Sequence, residues 1–390
     1  MKFQAEKIFA SFFLLGIIFI PLNTLSNDFQ YRFSHFVFQK PIGFLLNLFV
    51  INPTERIEIS SDSLEFNLLL ILIFLISILI SVFIKNQKYI SLARSILIFY
   101  LIFILLKYGI EKMMGTQFYT PEPNILYSNF GNLDKDILFW SVTGLSRTYC
   151  IITGIVEVLT GILLFFRRTR LIALLISVFV LIQILVINFS FDISVKSFSA
   201  FLLATNIFLL SPYLKPLKNI FFSEKSELLK NPEIIFVKNS FANQWIQLFL
   251  IGIFLVQIFY PYVISKELNQ RASFQGAYEI TETIYKNDTL SLSDFPYKRI
   301  FFHKDNFIIL QKTNDEMRDF YYEIQAHKKQ IIAKDYHQNE FAIDYQFNQN
   351  NSILKLNFRK DSLQFKAQLL DWKSLPALKN DFHFLIEHIK

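Results

Sequence analysis

Residues 148–166 read TYCIITGIVEVLTGILLFF, and Arg167, Arg168 and Arg170 close the stretch. These nineteen residues carry one charge, Glu157, at their midpoint. A bilayer core about 30 Å thick takes about 20 apolar helical residues to cross. Only a helix satisfies its own backbone in such a run. The stretch therefore reads as a membrane-spanning helix with an ionisable group at its centre. Cys150, Gly154, Glu157 and Gly161 follow at spacings of 4, 3 and 4, which keeps all four on one helical face. Three of them are small, so a neighbouring helix can approach closely there. Glu157 is expected to face protein, not lipid.

Six more windows of this kind lie on either side, at 8–22, 66–84, 95–112, 171–191, 197–214 and 243–264. Of the 390 residues 53% are hydrophobic and 18% charged, with 46 Phe against 10 Gly and 11 Pro. That composition excludes disorder, collagen and coiled coil and points to membrane. The net charge of +7 is concentrated, since residues 1–265 hold 21 Lys and Arg against 15 Asp and Glu. Thirteen basic residues fall in alternate connections: Lys2 and Lys7; Lys85, Lys88 and Arg94; Arg167, Arg168 and Arg170; Lys215, Lys218, Lys225, Lys230 and Lys238. Positive loops stay cytoplasmic. The expected topology is seven spans, with the N-terminus inside and residues from 266 on outside. This placement assigns the basic charge to the lipid bilayer, with no nucleic-acid partner. The first window resembles a signal peptide, but no small-x-small site follows it, and an uncleaved anchor is expected.

Two external connections are apolar. Residues 29–52 include Phe29, Phe33, Phe36, Phe38, Phe44 and Phe49, and residues 124–146 include Leu126, Phe130, Leu138, Phe139, Trp140 and Leu145. Both are expected to lie in the outer headgroup layer, where aromatic side chains favour the interface, or to cover a site between the helices. The basic linker 215–238 is expected against anionic lipid.

Ionisable groups inside the membrane mark candidate sites. Counting at about 1.5 Å per residue from Arg94 and Arg167 places Lys107 and Glu157 within about 5 Å of one depth, which predicts a buried pair. Glu111 and Lys112 fall one turn higher, Asp192 and Lys196 end one span and begin the next, and Asn188 and Gln183 line the approach. Together these residues predict a polar column from mid-membrane to the outer face. Two roles stay open for it: polar glue fixing helix register, or a site for a ligand or proton.

Tyr108-Gly109-Ile110-Glu111-Lys112 with Gln117-Phe118, then Gly154 to Thr169 with its Gly–Glu–Gly core and basic exit, then Asn188 to Lys196, resemble successive segments of DoxX-like membrane proteins. The resemblance covers about residues 60–222, and the Phe-rich opening and the tail are similar to a long-chain bacterial branch of that family. It implies a four-helix membrane core. Some relatives are a subunit of thiosulfate:quinone oxidoreductase, others associate with oxidative-stress proteins, and most have no assigned activity. In that branch a His often follows the Lys–Ser stretch of the sixth span; Phe201 stands there here.

Residue types prune the chemistry further. His35 is the sole His before residue 266, which excludes a bis-His haem in the helices. No GxGxxG or GxxxxGK[ST] occurs, so no nucleotide loop is visible. Cys150, the only Cys, excludes a disulfide scaffold, a CxxC pair and a thiolate cluster, and reads as a packing residue. If electrons are handled, quinone or a partner must carry them.

From residue 273 the apolar period becomes two. Phe341, Ile343, Tyr345 and Phe347 alternate with polar positions, as do Leu363, Phe365, Ala367 and Leu369. Turn clusters recur at 287–288, 304–306, 313–315 and 348–351. About eight strands between 276 and 370 can close an up-and-down barrel, with a β-sandwich as the alternative. Gly276-Ala277-Tyr278 resembles the Gly-x-Trp opening of lipocalin-like barrels, with Tyr in place of Trp. His303, His327, His337, His383 and His388 lack metal-ligand spacing and read as surface.

The expected organisation is N-terminal spans with a Phe-rich loop over 1–92, a DoxX-like four-helix core over 93–222, a linker and last span over 223–270, and a periplasmic β domain over 271–390. The expected function is a non-catalytic membrane component or a module binding a membrane or periplasmic protein partner or lipid. The alternatives are a quinone-linked oxidoreductase subunit and a proton-coupled carrier using Glu157.

Overall fold

The computed structural model describes residues 2–22, 27–48, 59, 62–223, 240–268, 275–286, 288–290, 296–303, 305–348, 351–358 and 362–379. Lys225, Lys230, Lys238, His383 and His388 lie outside the described residues, as do Asn287, Lys304, Gln349 and Asn350 of the expected turns. The chain forms two compact units. One comprises Met1–Phe118 and Arg147–Glu267, the other Tyr119–Ser146 and Leu268–Lys390.

The first unit is helical: α1 (Lys2–Phe19), α2 (Asn27–Leu48), α3 (Leu64–Phe83) and α4 (Lys88–Met114), then, beyond residue 146, α7 (Arg147–Phe165), α8 (Arg170–Ser190), α9 (Lys196–Leu210), α10 (Leu214–Ser223) and α11 (Ser240–Leu268). By length and composition, α3, α4, α7 and α8 can each cross a membrane. A fifth crossing is possible if α9 and α10, which meet at a bend of 71°, count as one span. All seven expected windows fall on helices, but α1 brings Lys2, Glu6 and Lys7 into its 18 residues.

Helix α4 is the spine. Leu97, Leu101 and Leu105 are buried along it, and it packs against α1, α7 and α9. It stops at Gly115, whose φ of 73° is the left-handed conformation that lets its N–H reach back to the carbonyls of Glu111 and Lys112. Arg147 caps the same end, donating to the carbonyl oxygens of Lys112 and Met113. Carbonyls of the last turn lack the usual i+4 donor, and a cation there also meets the negative end of the helix dipole.

The Phe-rich stretch at 29–52, read as an external connection, is helical over its described residues. Its first part is helix α2, folded back on α1: Phe19 packs on Phe33 and Phe38, Ser34 donates to the Phe19 carbonyl, and Gln30 donates to those of Ile17 and Ile18. Ser34, Phe38, Ile42 and Leu46 form its buried face at a spacing of 4, while Phe29, Phe36 and Phe44 are exposed.

In the second unit eight strands close a barrel: β1 (Gly276–Tyr285), β3 (Tyr297–Phe302), β4 (Phe307–Lys312), β5 (Met317–Gln325), β6 (Gln330–Lys334), β7 (Glu340–Asn348), β8 (Ile353–Phe358) and β9 (Leu363–Leu369). Each pairs antiparallel with the next, and β9 returns to β1. The short β2 (Asp288–Leu290) hangs from the end of β1. Closure removes exposed edges, and it decides between the two expected architectures in favour of the barrel. A bulge between Ile280 and Glu282 shifts the alternation, so Tyr278, Ile280 and then Thr283 are the inward positions of β1. The interior is filled by side chains, among them Tyr278, Phe302, Tyr322, Phe358 and Phe365. Both predicted alternating sets, 341–347 and 363–369, supply this core.

Residues 119–146 group with the barrel, although the expected bounds of the four-helix core, 93–222, enclose them. They hold α5 (Pro123–Leu126), a 3-10 turn at Phe130–Asn132 and α6 (Lys135–Leu145). Tyr127 stacks on Phe301 at 6.1 Å, the Arg299 guanidinium lies over its ring, and Gln311 donates to its carbonyl. Tyr127, Leu370 and Trp372 cover Ala277, Phe301 and Ile309, which point out of the barrel yet are buried.

Candidate functional site

The predicted small-residue face of α7 is present. Cys150, Gly154, Glu157 and Gly161 are all buried. A Cβ on Gly154 would meet the Gly109 carbonyl oxygen at 2.5 Å, and one on Gly161 would meet Leu106 at 3.2 Å. With Met113 also against Gly154 and Leu106 against Gly161, α4 and α7 run antiparallel. Their backbones approach where glycines face each other, the packing that small residues permit in apolar surroundings.

The partner of Glu157 is Lys112, not Lys107. The Lys112 ammonium bonds to Glu157 Oε1, with 7% of Lys112 and 3% of Glu157 exposed. Depth alone favours Lys107, but azimuth excludes it. Leu106, Gly109 and Met113 mark the α4 stripe that faces α7. At about 100° per residue, Lys107 lies about 160° around the axis from Gly109, and Lys112 only about 60°. Helical side chains lean toward their own N-terminus. In antiparallel helices Lys112 therefore reaches down and Glu157 up, and the two converge. Lys107 instead pairs with Glu111 on its own helix at 2.6 Å, with its ammonium 4.5 Å from the Tyr108 ring centroid.

The rest of the expected column closes elsewhere. Asn188 donates to Ser199 Oγ at 2.6 Å. Lys196 meets Asp192 at 2.7 Å and Asp62 at 3.6 Å. Asp192 itself is mostly exposed, and Gln183, expected to line the approach, is exposed too. The seven candidates are thus brought into separate pairs rather than into one cluster.

Sequence reasoning missed Asp62. Its two carboxylate oxygens accept the backbone N–H groups of Lys196 at 2.9 Å and Ser197 at 2.8 Å. It caps α9 from a distant part of the chain, because the residue at the cap position, Val195, has no side-chain acceptor. Ser197 adds a bond to Asn67. No local signal in the sequence joins 62 to 196. Phe201, at the position where the resemblance places a His, is buried against Phe12 and Phe13 of α1, its ring occupying the space a Cβ on Gly16 would need.

Seven buried side-chain oxygens have no hydrogen-bond partner among the described residues, and Glu157 Oε2 is the one carboxylate oxygen of the seven. An unsatisfied acceptor on a buried carboxylate is costly, and it is the one feature of this pair that a purely structural role does not use. Comparison with protein-family models, curated proteins and solved structures finds no match.

Proposed function

We propose that the chain is a non-catalytic envelope component, held in a bacterial inner membrane by its helical unit and carrying a periplasmic barrel that binds a protein partner. The observation that carries this reading is the dispersal of the polar side chains. Lys107–Glu111, Lys112–Glu157, Asn188–Ser199 and Lys196–Asp192 each close locally, as pairs that fix helix register do. The filled barrel interior favours recognition on its outer surface over carriage of lipid inside. The seven-span topology, with the N-terminus cytoplasmic, rests on the clustered basic loops. The likeness to DoxX-like proteins, and to lipocalin-like barrels for the tail, rests on the residues quoted for each.

The unpartnered Glu157 Oε2 favours a second reading, a quinone-linked or proton-coupled site at the Lys112–Glu157 pair. Two measurements separate them. Photo-crosslinking residues at outward barrel positions, Glu279 and Lys355, should capture a discrete envelope protein in cells. Solvent extraction of the purified full chain should yield quinone well below one per chain. One quinone per chain, lost in Glu157→Leu, overturns the first reading and establishes the second.

A further inference from the structure

On the outside of the barrel, β4, β5 and the turn after β6 line a pocket, open to solvent, of about 170 Å³. Its walls include Phe307, Tyr321 and Tyr336, with Asp319, Lys334 and Asp335. Register explains the assembly. Phe307 opposes Tyr321, and Tyr321 opposes Lys334, so their side chains share the outward face. The Phe307 and Tyr321 rings meet edge to face at 6.0 Å.

Tyr336 is the unusual member. It is 77% exposed, yet it is held at both ends. Its hydroxyl donates to Asp319 Oδ2. Its backbone sits in a turn that Asp335 locks, one carboxylate oxygen accepting the N–H groups of His337 and Asn339 and the other the Asn339 side chain. An aromatic ring left in water but fixed in place is organised before any ligand arrives. Asp319 keeps Oδ1 without a partner among the described residues. Lys334 does not neutralise the site, because Glu340 holds its ammonium at 3.1 Å. His303, whose ring stands 6.4 Å from that of Phe307, is likewise turned to Asp305 at 3.6 Å.

The chain as a whole is basic, but this pocket combines aromatic faces with carboxylates. Aromatic faces attract cations within about 6 Å of the ring centroid. At about 30 Å³ per water, the cavity holds about six waters. That is below the roughly 300–1,000 Å³ of a pocket for a drug-sized ligand, and it suits one side-chain head. A guanidinium is flat, weakly hydrated and able to stack on a ring while bonding to a carboxylate, which an ammonium does less well.

We propose that this pocket receives an arginine side chain of the protein partner. The assignment rests on the partner-binding reading above and names the group that is recognised.

The test uses the full chain in dodecyl maltoside, a non-ionic detergent, and a fluorescein-labelled Gly-Gly-Arg-Gly-Gly amide followed by anisotropy. The same peptide with citrulline, the neutral isostere, should bind about tenfold more weakly, in line with loss of a cation–π contact and a charge-assisted bond. Asp319→Asn and Tyr336→Ala should each lose about tenfold, Tyr336→Phe less, with melting curves confirming that the barrel is folded. Equal binding of the two peptides, unchanged binding in both Asp319→Asn and Tyr336→Ala, or binding of choline chloride in preference to the arginine peptide overturns the assignment. Crosslinks from Glu279 and Lys355, on β1 and β8 across the barrel, distinguish the two failures. If they persist while the peptide fails, the pocket assignment falls and the partner reading stands.

Discussion

Replacing Glu157 by Leu leaves the Lys112 ammonium facing a leucine, and replacing Lys112 by Leu leaves the Glu157 carboxylate alone. Removing one partner of a buried pair costs about 3–5 kcal/mol. An escape by neutralisation sets a ceiling on each cost. From ordinary values, discharging a Lys at pH 7 costs about 4.6 kcal/mol and protonating a Glu about 3.7 kcal/mol. Lys112 lies two residues from the end of α4, so its stem can also swing toward the boundary of the helix. That places Glu157→Leu toward the low end of the range. Glu157, near the middle of α7, has no such exit.

The two variants must then answer pH differently. At pH 5 protonating a Glu costs only about 1 kcal/mol, while discharging a Lys costs more than at pH 7. Lys112→Leu should therefore regain most of its stability between pH 7 and pH 5, and Glu157→Leu none. At about 2–4 °C per kcal/mol for a unit of this size, melts in detergent should fall by about 6–20 °C for either single variant at pH 7. The double variant, with Lys112→Met and Glu157→Leu, should recover to wild type or above, as apolar replacements of buried pairs often do. Single variants melting within about 2 °C of wild type, or sharing one pH slope, would refute the pairing; the 2 °C corresponds to under about 1 kcal/mol.

Gly154→Ala should lower the melting temperature more than Gly161→Ala, because the first Cβ meets the Gly109 carbonyl at 2.5 Å, whereas the second meets the Leu106 side chain at 3.2 Å and backbone no nearer than 3.5 Å; thermal melts of the two variants check the order. The barrel core should be labile to alkali. Burial pushes the Tyr322 phenol up to about 12 and also raises that of Tyr278. Both hold their protons more tightly folded than unfolded, so stability is full below the ordinary phenol value of about 10 and falls as pH rises through it. Tyr322→Phe should flatten that fall in β-type circular dichroism recorded from pH 9 to 12. Residues 272–390 expressed without 119–146 should retain β-type dichroism but self-associate, because Phe301 and Ile309 lose their Tyr127 cover; a monomer in sedimentation would contradict this. A periplasmic reporter fused after Lys390 should be active and one fused at Lys225 silent, the reverse pattern refuting the proposed topology.

What the sequence could reveal followed from the range of the interaction. The buried stripe on α7 depends on one helix and its period, so Cys150, Gly154, Glu157 and Gly161 were legible together. The inward residues of β7 and β9 were legible for the same reason, each strand carrying its own alternation. The Lys107 assignment failed because residue counting supplies depth along a helix and nothing about rotation. The missing coordinate was present in one residue. Gly109 is the only glycine of α4, and setting it against Gly154 turns Lys107 away and brings Lys112 round.

The segment 119–146 shows the other limit. Leu126, Phe130 and Trp140 have the same composition whether they cover lipid or protein, because apolar burial does not depend on which apolar surface does the covering. The deciding fact lay on the partner side, some 180 residues away. Phe301 and Ile309 flank the inward Ile300 and Ile308, so residues 300–302 of β3 and 307–310 of β4 read as continuous apolar runs instead of alternating ones. Strands buried on both faces read that way, and an eight-stranded barrel has only one inside. An apolar residue at an outward barrel position therefore implies a cover from elsewhere in the chain or from another molecule. Here Tyr127 supplies part of it. Tyr336, Tyr321 and Phe307, aromatic and facing outward on the neighbouring wall, raise the same question, and the proposed arginine of a partner is an answer from another molecule.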